Sequence, residues 1–180
     1  MNPDNMKTLM AIILASGKGK RFGMPKAEAM LEGQSFLQKI CNSLDQAGLA
    51  YLVARYPDTE DMLATLRRAR AELLLQNSND GYSGLLVFPV DYPLVRPQTL
   101  ASLAKVHYQS PEAVIRPVYN GLRGHPIVIP VSLELGSGVV QQGLKEIIRL
   151  SGMALLDLSV DDPGITRNIN TQEDLWTPKN

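Results

Sequence analysis

The segment LASGKGKRFGMPK, residues 14–26, places three glycines among basic side chains directly after an apolar run. Its basic residues are Lys18, Lys20, Arg21 and Lys26. Glycine lets a backbone wrap closely around a ligand, and lysine and arginine make charge-assisted hydrogen bonds to phosphate oxygens. The segment therefore predicts a loop that binds a phosphorylated ligand.

Two common phosphate-binding loops fit this segment poorly. A P-loop needs Ser or Thr after Gly-Lys, and neither Gly-Lys pair here is followed by one. The spacing of Gly17, Gly19 and Gly23 is one residue longer than in a dinucleotide-binding turn, and the next predicted strand ends in VARY (residues 53–56) without the expected acid. A nucleoside triphosphate explains the basic residues better, because charge also develops on the departing pyrophosphate.

Asp91 follows the apolar run 85–90, which is typical of a strand buried on both faces. Ligands of open α/β sheets gather beyond the carboxyl ends of the strands, and Mg²⁺ pairs readily with one carboxylate plus substrate phosphates. Asp91 is therefore a candidate metal ligand, with a turn before Pro93 as the alternative. Asp161 and Asp162 precede Pro-Gly and are interpreted as turn residues, with metal binding as the lesser alternative.

Short apolar runs alternate with helical patterns along the chain. The predicted strands are 9–14, 49–54, 72–76, 85–90, 113–118, 127–129 and 154–160. The predicted helices are 35–44, 58–71, 97–104 and 142–150. Ser35 and Gln38 form a capping-box pattern at the first helix, and Gly48 is its expected stop. The alternation predicts one α/β domain, residues 1–180, with a mostly parallel sheet.

Composition limits the classes of partner. Eighteen basic residues balance eighteen acidic ones among 180, so no overall field favours nucleic acid or a membrane surface. No apolar run approaches the roughly 18 residues of a membrane span. The single cysteine, Cys41, lies on an apolar helical stripe and is expected to be a core thiol. These features predict a cytosolic protein that binds neither nucleic acid nor membranes.

Four motifs in chain order resemble those of the sugar-nucleotide and cofactor nucleotidyltransferases. Residues 14–26 match the family's Leu-Ala-Ala/Ser-Gly-x-Gly/Ser-x-Arg-Met/Phe-Gly-x-Pro-Lys at every specified position. PVDYPLV (89–95) resembles its Asp-x-Pro-Leu segment, NGLRGHP (120–126) its Gly-x-x-Gly-His-Pro segment, and NINTQEDL (168–175) its closing motif. The chain most resembles the MobA-like branch, the molybdenum-cofactor cytidylyl- and guanylyltransferases.

This resemblance implies a three-layer, Rossmann-like α/β fold and a Mg²⁺-dependent reaction. The reaction would move a nucleotidyl group from CTP or GTP to a phosphorylated acceptor, molybdopterin or the molybdenum cofactor, with release of pyrophosphate. By resemblance, the catalytic residues are Arg21, Lys26 and Asp91, the metal ligands are Asp91 and Asn170, and His125 faces the acceptor. The implied nucleotide-binding residues are Leu14, Ala15, Ser16, Gly17, Gly19, Arg21 and Lys26.

Several of these residues have simpler alternatives. Asn170 with Glu173 would also make a helix N-cap and capping box. Lys18 and Lys20 are expected to be solvated loop charges, and His107, within a helical pattern, is expected to be structural. No cluster of Cys and His offers a zinc site.

The chain departs from the family between residues 77 and 84. There the family has a Gly-x-x-Ser segment that opens a helix of about three turns, whereas NSNDGYSG leads straight into a strand. Eight residues are short for a crossover between the parallel strands predicted at 72–76 and 85–90. Either the chain lacks this helix, which would leave the nucleotide pocket open, or residues are missing from the sequence, and the intact motifs favour the second explanation.

Three other functions stay open at this point. A transferase for a sugar phosphate or another small metabolite would use the same residues. A non-catalytic nucleotide-binding regulator would bind triphosphate without turnover. A dinucleotide-binding protein is the more distant alternative and would bind NAD without regard to Mg²⁺.

Overall fold

A computed structural model describes residues 8–16, 23–56, 59, 61–76, 81–137 and 143–175. The helices are α1 (Phe36–Gln46), α2 (Met62–Gln76), α3 (Pro97–Gln109) and α4 (Leu144–Ser151). The strands are β1 (Thr8–Leu14), β2 (Met30–Leu31), β3 (Gln34–Ser35), β4 (Tyr51–Ala54), β5 (Tyr82–Pro89), β6 (Val114–Tyr119), β7 (Leu122–Arg123), β8 (Ile127–Pro130) and β9 (Leu155–Ser159). None of the described helices combines the length and the apolar character that crossing a bilayer requires.

The central sheet has seven strands in the order β4-β1-β5-β8-β6-β7, and β9 also pairs with β6. Strand β1 is parallel to both neighbours, so that Ile12 lies between Leu52 and Val87. Strand β8 is antiparallel to both β5 and β6, and β9 is parallel to β6. Strands β4, β1, β5, β6 and β9 therefore all run in one direction, which confirms the predicted mostly parallel sheet.

Helices cover both faces of this sheet. Helices α1 and α3 bury Phe36, Ile40, Leu100 and Leu103 against one face. Helices α2 and α4 bury Leu66, Leu73 and Ile148 against the other. Because both faces are covered, β5 is buried from Gly84 to Pro89, as its apolar sequence predicted. The predicted three-layer α/β architecture is confirmed.

The start of α1 follows its sequence signals. The Ser35 hydroxyl accepts from the Gln38 backbone N–H at 3.2 Å, and the Gln38 side chain accepts from the Ser35 N–H at 2.9 Å. This capping box was predicted. Gly48, with a φ of 68°, follows the end of the helix. Cys41 packs, partly buried, against the core on this side of the sheet.

The prediction of a strand at residues 72–76 is wrong, because these residues form the end of α2. Leu73 lies four and seven residues after Ala69 and Leu66, and this helical spacing buries all three against the sheet. Leu75 is 86% exposed, whereas a strand buried on both faces would cover it. The run Leu-Leu-Leu at 73–75 is short enough to fit either structure by sequence alone.

This correction removes the problem of the short crossover. Helix α2 itself connects β4 to β5, which lie on opposite sides of β1. The connection from Gln76 to Tyr82 then only joins a helix to a strand, for which a few residues suffice. No residues need to be missing from the sequence to explain this short connection. The three-turn helix that the family has after this segment has no counterpart before β5.

His107 is structural, as expected. It is fully buried on α3, and its Nε2 lies 2.8 Å from the Ser83 hydroxyl. Burial lowers the pKa of the imidazole, so the ring is neutral near pH 7. Gly84 makes room for it, since a Cβ at that position would lie 2.4 Å from a ring carbon.

Candidate functional site

The candidate site lies at the carboxyl edge of β1, β4 and β5, where three chain segments leave the sheet. The Val90 N–H donates to the Leu14 carbonyl at 3.2 Å, and the Ala15 N–H donates to the Ala54 carbonyl at 3.0 Å. The Ser16 hydroxyl accepts from the Tyr56 N–H at 2.9 Å and so ties the loops after β1 and β4 together. Leu14, Ala15 and Ser16 thus lie where ligands of such sheets gather, and their predicted contact with a nucleotide stays a prediction.

Lys26 is held by a short 3-10 helix, Lys26–Glu28. The neighbouring Ala27 and Ala29 are buried in the core, which fixes the backbone under the lysine. The Lys26 ammonium donates to the Asn170 amide oxygen at 2.5 Å and to the Asp91 carboxylate at 3.4 Å. The structure therefore brings together three predicted site residues from segments far apart in the sequence.

The backbone joins Asp91 and Asn170 as well. The N–H of Ile169, which is fully buried, donates to the Asp91 carbonyl at 2.8 Å. The Asp174 carboxylate accepts from the backbone N–H groups of Asn170 and Thr171, each at 2.9 Å. The Asn170 side-chain oxygen accepts from Lys26 and faces the site. The side chain of Asn170 therefore contacts the site, while its backbone N–H stabilises the turn through Asp174.

Asp91 and Asn170 offer the kind of oxygen atoms that a hard divalent cation requires. Their carboxylate and amide oxygens converge on one cationic nitrogen, the Lys26 ammonium, which marks a place where positive charge is already accommodated. Among the described residues, no group of three or more His, Cys, Asp or Glu side chains could hold a metal without help. The pair therefore fits a metal whose remaining ligands are substrate phosphates and water, the arrangement typical of Mg²⁺.

His125 lies beside this centre. Its backbone N–H donates to the Ile165 carbonyl at 2.8 Å, and its ring centroid is 4.8 Å from that of Tyr92. Gly124 permits this close approach, because a Cβ there would lie 2.2 Å from the Ile165 carbonyl oxygen. His125 is thus held next to the residue that follows Asp91.

Burial sets the charge state of His125. It lowers the pKa of the imidazole below the ordinary value of 6.5, and the nearby Asp91 charge only partly opposes this. The His125 Nδ1 atom is buried and has no hydrogen-bond partner within the described parts of the chain. The ring is therefore neutral near pH 7, with its buried Nδ1 turned away from solvent.

Asp162 has the structural role predicted for it. Its carboxylate is buried and accepts from the Arg96 N–H at 2.9 Å, the Thr99 hydroxyl at 2.7 Å and the Gly164 N–H at 2.9 Å. These bonds cap the start of α3 and the 3-10 helix Pro163–Thr166. The exposed Asp161 contributes its backbone carbonyl to Arg96.

Two neighbours of the site were not predicted. The Tyr92 ring packs against that of His125 at an interplanar angle of 48°, and the Asn168 amide donates to the Tyr92 hydroxyl at 3.4 Å. In the sequence, only their positions could have indicated a role: Tyr92 directly follows Asp91, and Asn168 lies two residues before Asn170.

The predicted residues Gly17, Gly19 and Arg21, with Lys18 and Lys20, lie outside the described residues.

The model of the MobA-like NTP transferase domain family matches residues 11–158 of the chain. The probable molybdenum cofactor guanylyltransferase of Geobacillus sp. (strain WCH70) is 26% identical over 128 residues, which cover 61% of this chain and 64% of that relative. The bifunctional protein GlmU of Azorhizobium caulinodans is 30% identical over 117 residues, which cover 54% of this chain and 26% of that relative. The chain thus spans less than two thirds of the length of either relative.

Solved structures share the fold at low identity. Rv0371c from Mycobacterium tuberculosis H37Rv superposes with a TM-score of 0.73 at 19% identity, covering 94% of this chain and 96% of that chain. Its complex with manganese superposes with a TM-score of 0.68 at 18% identity, covering 93% and 95%. A structural relative is therefore crystallised with manganese.

The family match and the structure agree with each other. The match begins in β1 and ends in β9, so it takes in the edge of the sheet where Lys26 and Asp91 meet. Lys26, Asp91 and Asn170, one from each of three of the motifs, meet at this edge, and His125 of the remaining motif lies against Tyr92. The chain belongs to the MobA-like NTP transferase domain family.

Proposed function

We propose that this protein is a Mg²⁺-dependent nucleotidyltransferase, acting as a single domain of residues 1–180. The observation that carries the proposal is the convergence of Lys26, Asp91 and Asn170 at the carboxyl edge of β1 and β5. One ammonium and two oxygen ligands at this edge match the needs of a metal-bound triphosphate.

The proposed reaction is an in-line displacement at the α-phosphorus of a nucleoside triphosphate. A phosphate oxygen of the acceptor forms the new bond to the α-phosphorus, and the bond from that phosphorus to the bridging oxygen breaks, so that pyrophosphate leaves with its electron pair. No general base is required, because the attacking phosphate is already ionised. Mg²⁺, when bound, supplies charge neutralisation and orientation of the phosphates.

The chain's own residues would do the rest. Asp91 and Asn170 would hold the metal, and Lys26 would exchange its contacts with them for the α-phosphate or the departing pyrophosphate. Arg21 and the glycines of residues 14–26 would enclose the phosphates, and Leu14, Ala15 and Ser16 would meet the base and ribose. His125, whose imidazole burial keeps neutral, would face the acceptor.

We propose CTP or GTP as the donor and molybdopterin, or the molybdenum cofactor, as the acceptor. The support is the sequence resemblance and the similarity to a probable molybdenum cofactor guanylyltransferase. Nucleic acids and membranes are not proposed partners, since the chain carries equal numbers of basic and acidic residues. The cytosol is the proposed compartment, because a single cysteine suits a reducing environment.

A pyrophosphate-release assay tests this proposal. The protein is incubated with Mg²⁺ and CTP, GTP, ATP or UTP, together with molybdopterin or glucose 1-phosphate. We expect turnover with one pairing of CTP or GTP and molybdopterin, and Asp91→Asn should lower kcat by about 100-fold or more.

Asp161→Asn is the matched control, because Asp161 is an exposed aspartate whose backbone, not its side chain, contacts Arg96. It should retain full activity. Triphosphate binding without pyrophosphate release in any combination would instead identify a regulator. Release with glucose 1-phosphate alone would identify a sugar-phosphate transferase.

A further inference from the structure

The segment that carries Asn170 leads into a short 3-10 helix, Glu173–Leu175. Thr171 and Asp174 cap its start in a reciprocal way. The Thr171 N–H donates to the Asp174 carboxylate at 2.9 Å, and the Asp174 N–H donates to the Thr171 hydroxyl at 3.4 Å. A hydroxyl and an acid three residues later that satisfy each other's backbone N–H groups form a capping box.

This capping box lies one residue later than the alternative predicted for Asn170 and Glu173. Both pairs have the spacing of a capping box, so the local sequence does not decide between the two registers. The structure forms the box from Thr171 and Asp174. Asn170 therefore stands just before the cap instead of being the cap.

The register of the box determines what the Asn170 side chain contacts. An asparagine at the N-cap directs its side-chain oxygen to backbone N–H groups at the start of the helix. The Asn170 oxygen is directed instead to the Lys26 ammonium, at 2.5 Å, and the same ammonium donates to Asp91 at 3.4 Å. With Thr171 as the cap, the Asn170 oxygen is available to the candidate metal site.

Asp174 also holds the backbone of Asn170. The same oxygen of its carboxylate accepts from the Asn170 N–H at 2.9 Å and from the Thr171 hydroxyl at 3.1 Å. On the other side, the Ile169 N–H donates to the Asp91 carbonyl at 2.8 Å. The backbone at Asn170 is thus tied to Asp91 on one side and to Asp174 on the other.

We propose that Asp174 is a positioning residue for the metal site. By holding the capping box in this register, it keeps the Asn170 oxygen directed to the metal beside Asp91. Asp174 acts through Asn170 and not by touching metal or substrate, since one of its oxygens is already shared by three donors. This inference rests on the metal role proposed above for Asn170.

Titration of the full chain with Mn²⁺, followed by the electron paramagnetic resonance of the free ion, tests this role without turnover. Asp174→Ala should weaken Mn²⁺ binding by about tenfold, the order of loss expected when a residue that orients a metal ligand is removed. Asp174→Glu keeps an acid at the third position of the box and should stay within about threefold of wild type.

Glu173→Ala is the matched control, because it removes an equal charge from the same 3-10 helix. It should leave Mn²⁺ affinity at the wild-type value. An equal loss of affinity in Glu173→Ala and Asp174→Ala would show that the charge of this helix matters and not the capping box, and would overturn the proposal.

A double-mutant cycle tests whether Asp174 acts through Asn170. Asn170→Ala should weaken Mn²⁺ binding by about tenfold or more, and adding Asp174→Ala to it should cause no further loss. A general effect of Asp174 on the fold would lower the affinity in both backgrounds, so additive losses would contradict the proposal.

A crystal structure of Asp174→Ala gives a readout that needs no metal. The Asn170 oxygen should turn from Lys26 to the N–H groups at the start of the 3-10 helix, and an Asn170 that stays on Lys26 would refute the positioning role. If Asn170→Ala weakens Mn²⁺ but Asp174→Ala does not, only the positioning role falls. If Asn170→Ala has no effect, or if wild type binds no Mn²⁺, the proposed metal role of Asn170 falls, and the crystal structure still decides whether Asp174 positions it.

Discussion

Lys26 shows how a single side chain links the fold to the proposed chemistry. Its ammonium contacts Asp91 and Asn170, and the side chains of Lys26 and Asp91 are each only 17% exposed. Partial burial strengthens a charge's effect on a neighbouring phosphate, because less water screens it. Lys26 is therefore well placed for the role proposed for it, a contact with the phosphates of a bound triphosphate.

Replacing Lys26 by glutamine should lower kcat by about 100-fold, because a preorganised charge at the α-phosphate or leaving group is lost. Thermal stability should change little, since an ion pair in contact with solvent contributes about 1 kcal/mol or less. Single-turnover pyrophosphate release measures the first effect and thermal melting the second. Lys39→Gln removes a lysine that bonds Glu32 at 2.6 Å, away from the site, and should leave turnover intact. Equal turnover in Lys26→Gln and wild type would exclude Lys26 from the reaction.

At the scale of elements, the position of Asn170 depends on the contacts that hold the segment after β9 against the sheet. Asp162 fixes this segment to the start of α3, and Ile165 and Ile169 are buried beyond it. From there the segment delivers Asn170 to Asp91 through the Ile169–Asp91 backbone hydrogen bond. A residue outside the site thus determines where a site residue lies.

Asp162→Ala should lower the free energy of unfolding by about 3 kcal/mol, because it leaves three donors without their acceptor in a buried place. Denaturant unfolding measures the change. Asp161→Ala, at the exposed neighbour, should stay within about 0.5 kcal/mol of wild type. Similar stability of the two variants would show that the buried carboxylate does not fasten the segment.

The contact of α3 with β5 predicts a dependence of stability on pH. Burial holds the pKa of His107 below its ordinary value of 6.5, so the unfolded chain takes up this proton at a higher pH than the folded chain. The free energy of unfolding should therefore be steady above about pH 7.5 and should fall as the pH drops through 6.5. It levels off only below the folded pKa.

His107→Gln keeps a polar side chain beside the Ser83 hydroxyl but cannot titrate, so it should reduce this slope. His125 contributes a slope of the same sign, since burial also lowers its pKa, and part of the dependence should remain. One proton bound in the unfolded state alone is worth about 1.4 kcal/mol per pH unit, which is the upper limit of the difference. Denaturant titrations from pH 5 to 8 measure it, and parallel curves for the two proteins would contradict it.

At the scale of the whole molecule, a ligand bound across the edge of the sheet should stabilise the entire fold. The edge joins β1, β4, β5 and the segment after β9, so a bound triphosphate would hold together parts that are distant in the chain. Binding to the folded state alone stabilises it by mass action.

A triphosphate at about 100 times its dissociation constant should add roughly 2.7 kcal/mol and raise the melting temperature by about 5 °C or more. The shift should require Mg²⁺, be largest for CTP or GTP, and disappear in Asp91→Asn. A thermal-shift panel with all four triphosphates and NAD measures it. A shift with NAD alone, independent of Mg²⁺, would support dinucleotide binding instead.

The sequence alone determined the family and the types of the candidate site residues. Glycines, lysines and an aspartate at the end of an apolar strand have few common uses, and their motifs identified Lys26, Asp91 and Asn170 separately. Capping chemistry is equally local, which is why the start of α1 at Ser35 was predicted correctly.

Only the tertiary structure decided how these residues meet. It showed that Lys26 lies between Asp91 and Asn170, and that Tyr92 and Asn168 lie beside them. The sequence could not show this, because contacts between distant segments leave no local pattern. It also placed residues 72–76 in α2, because burial of Leu73 against the sheet decides between helix and strand where a short apolar run does not.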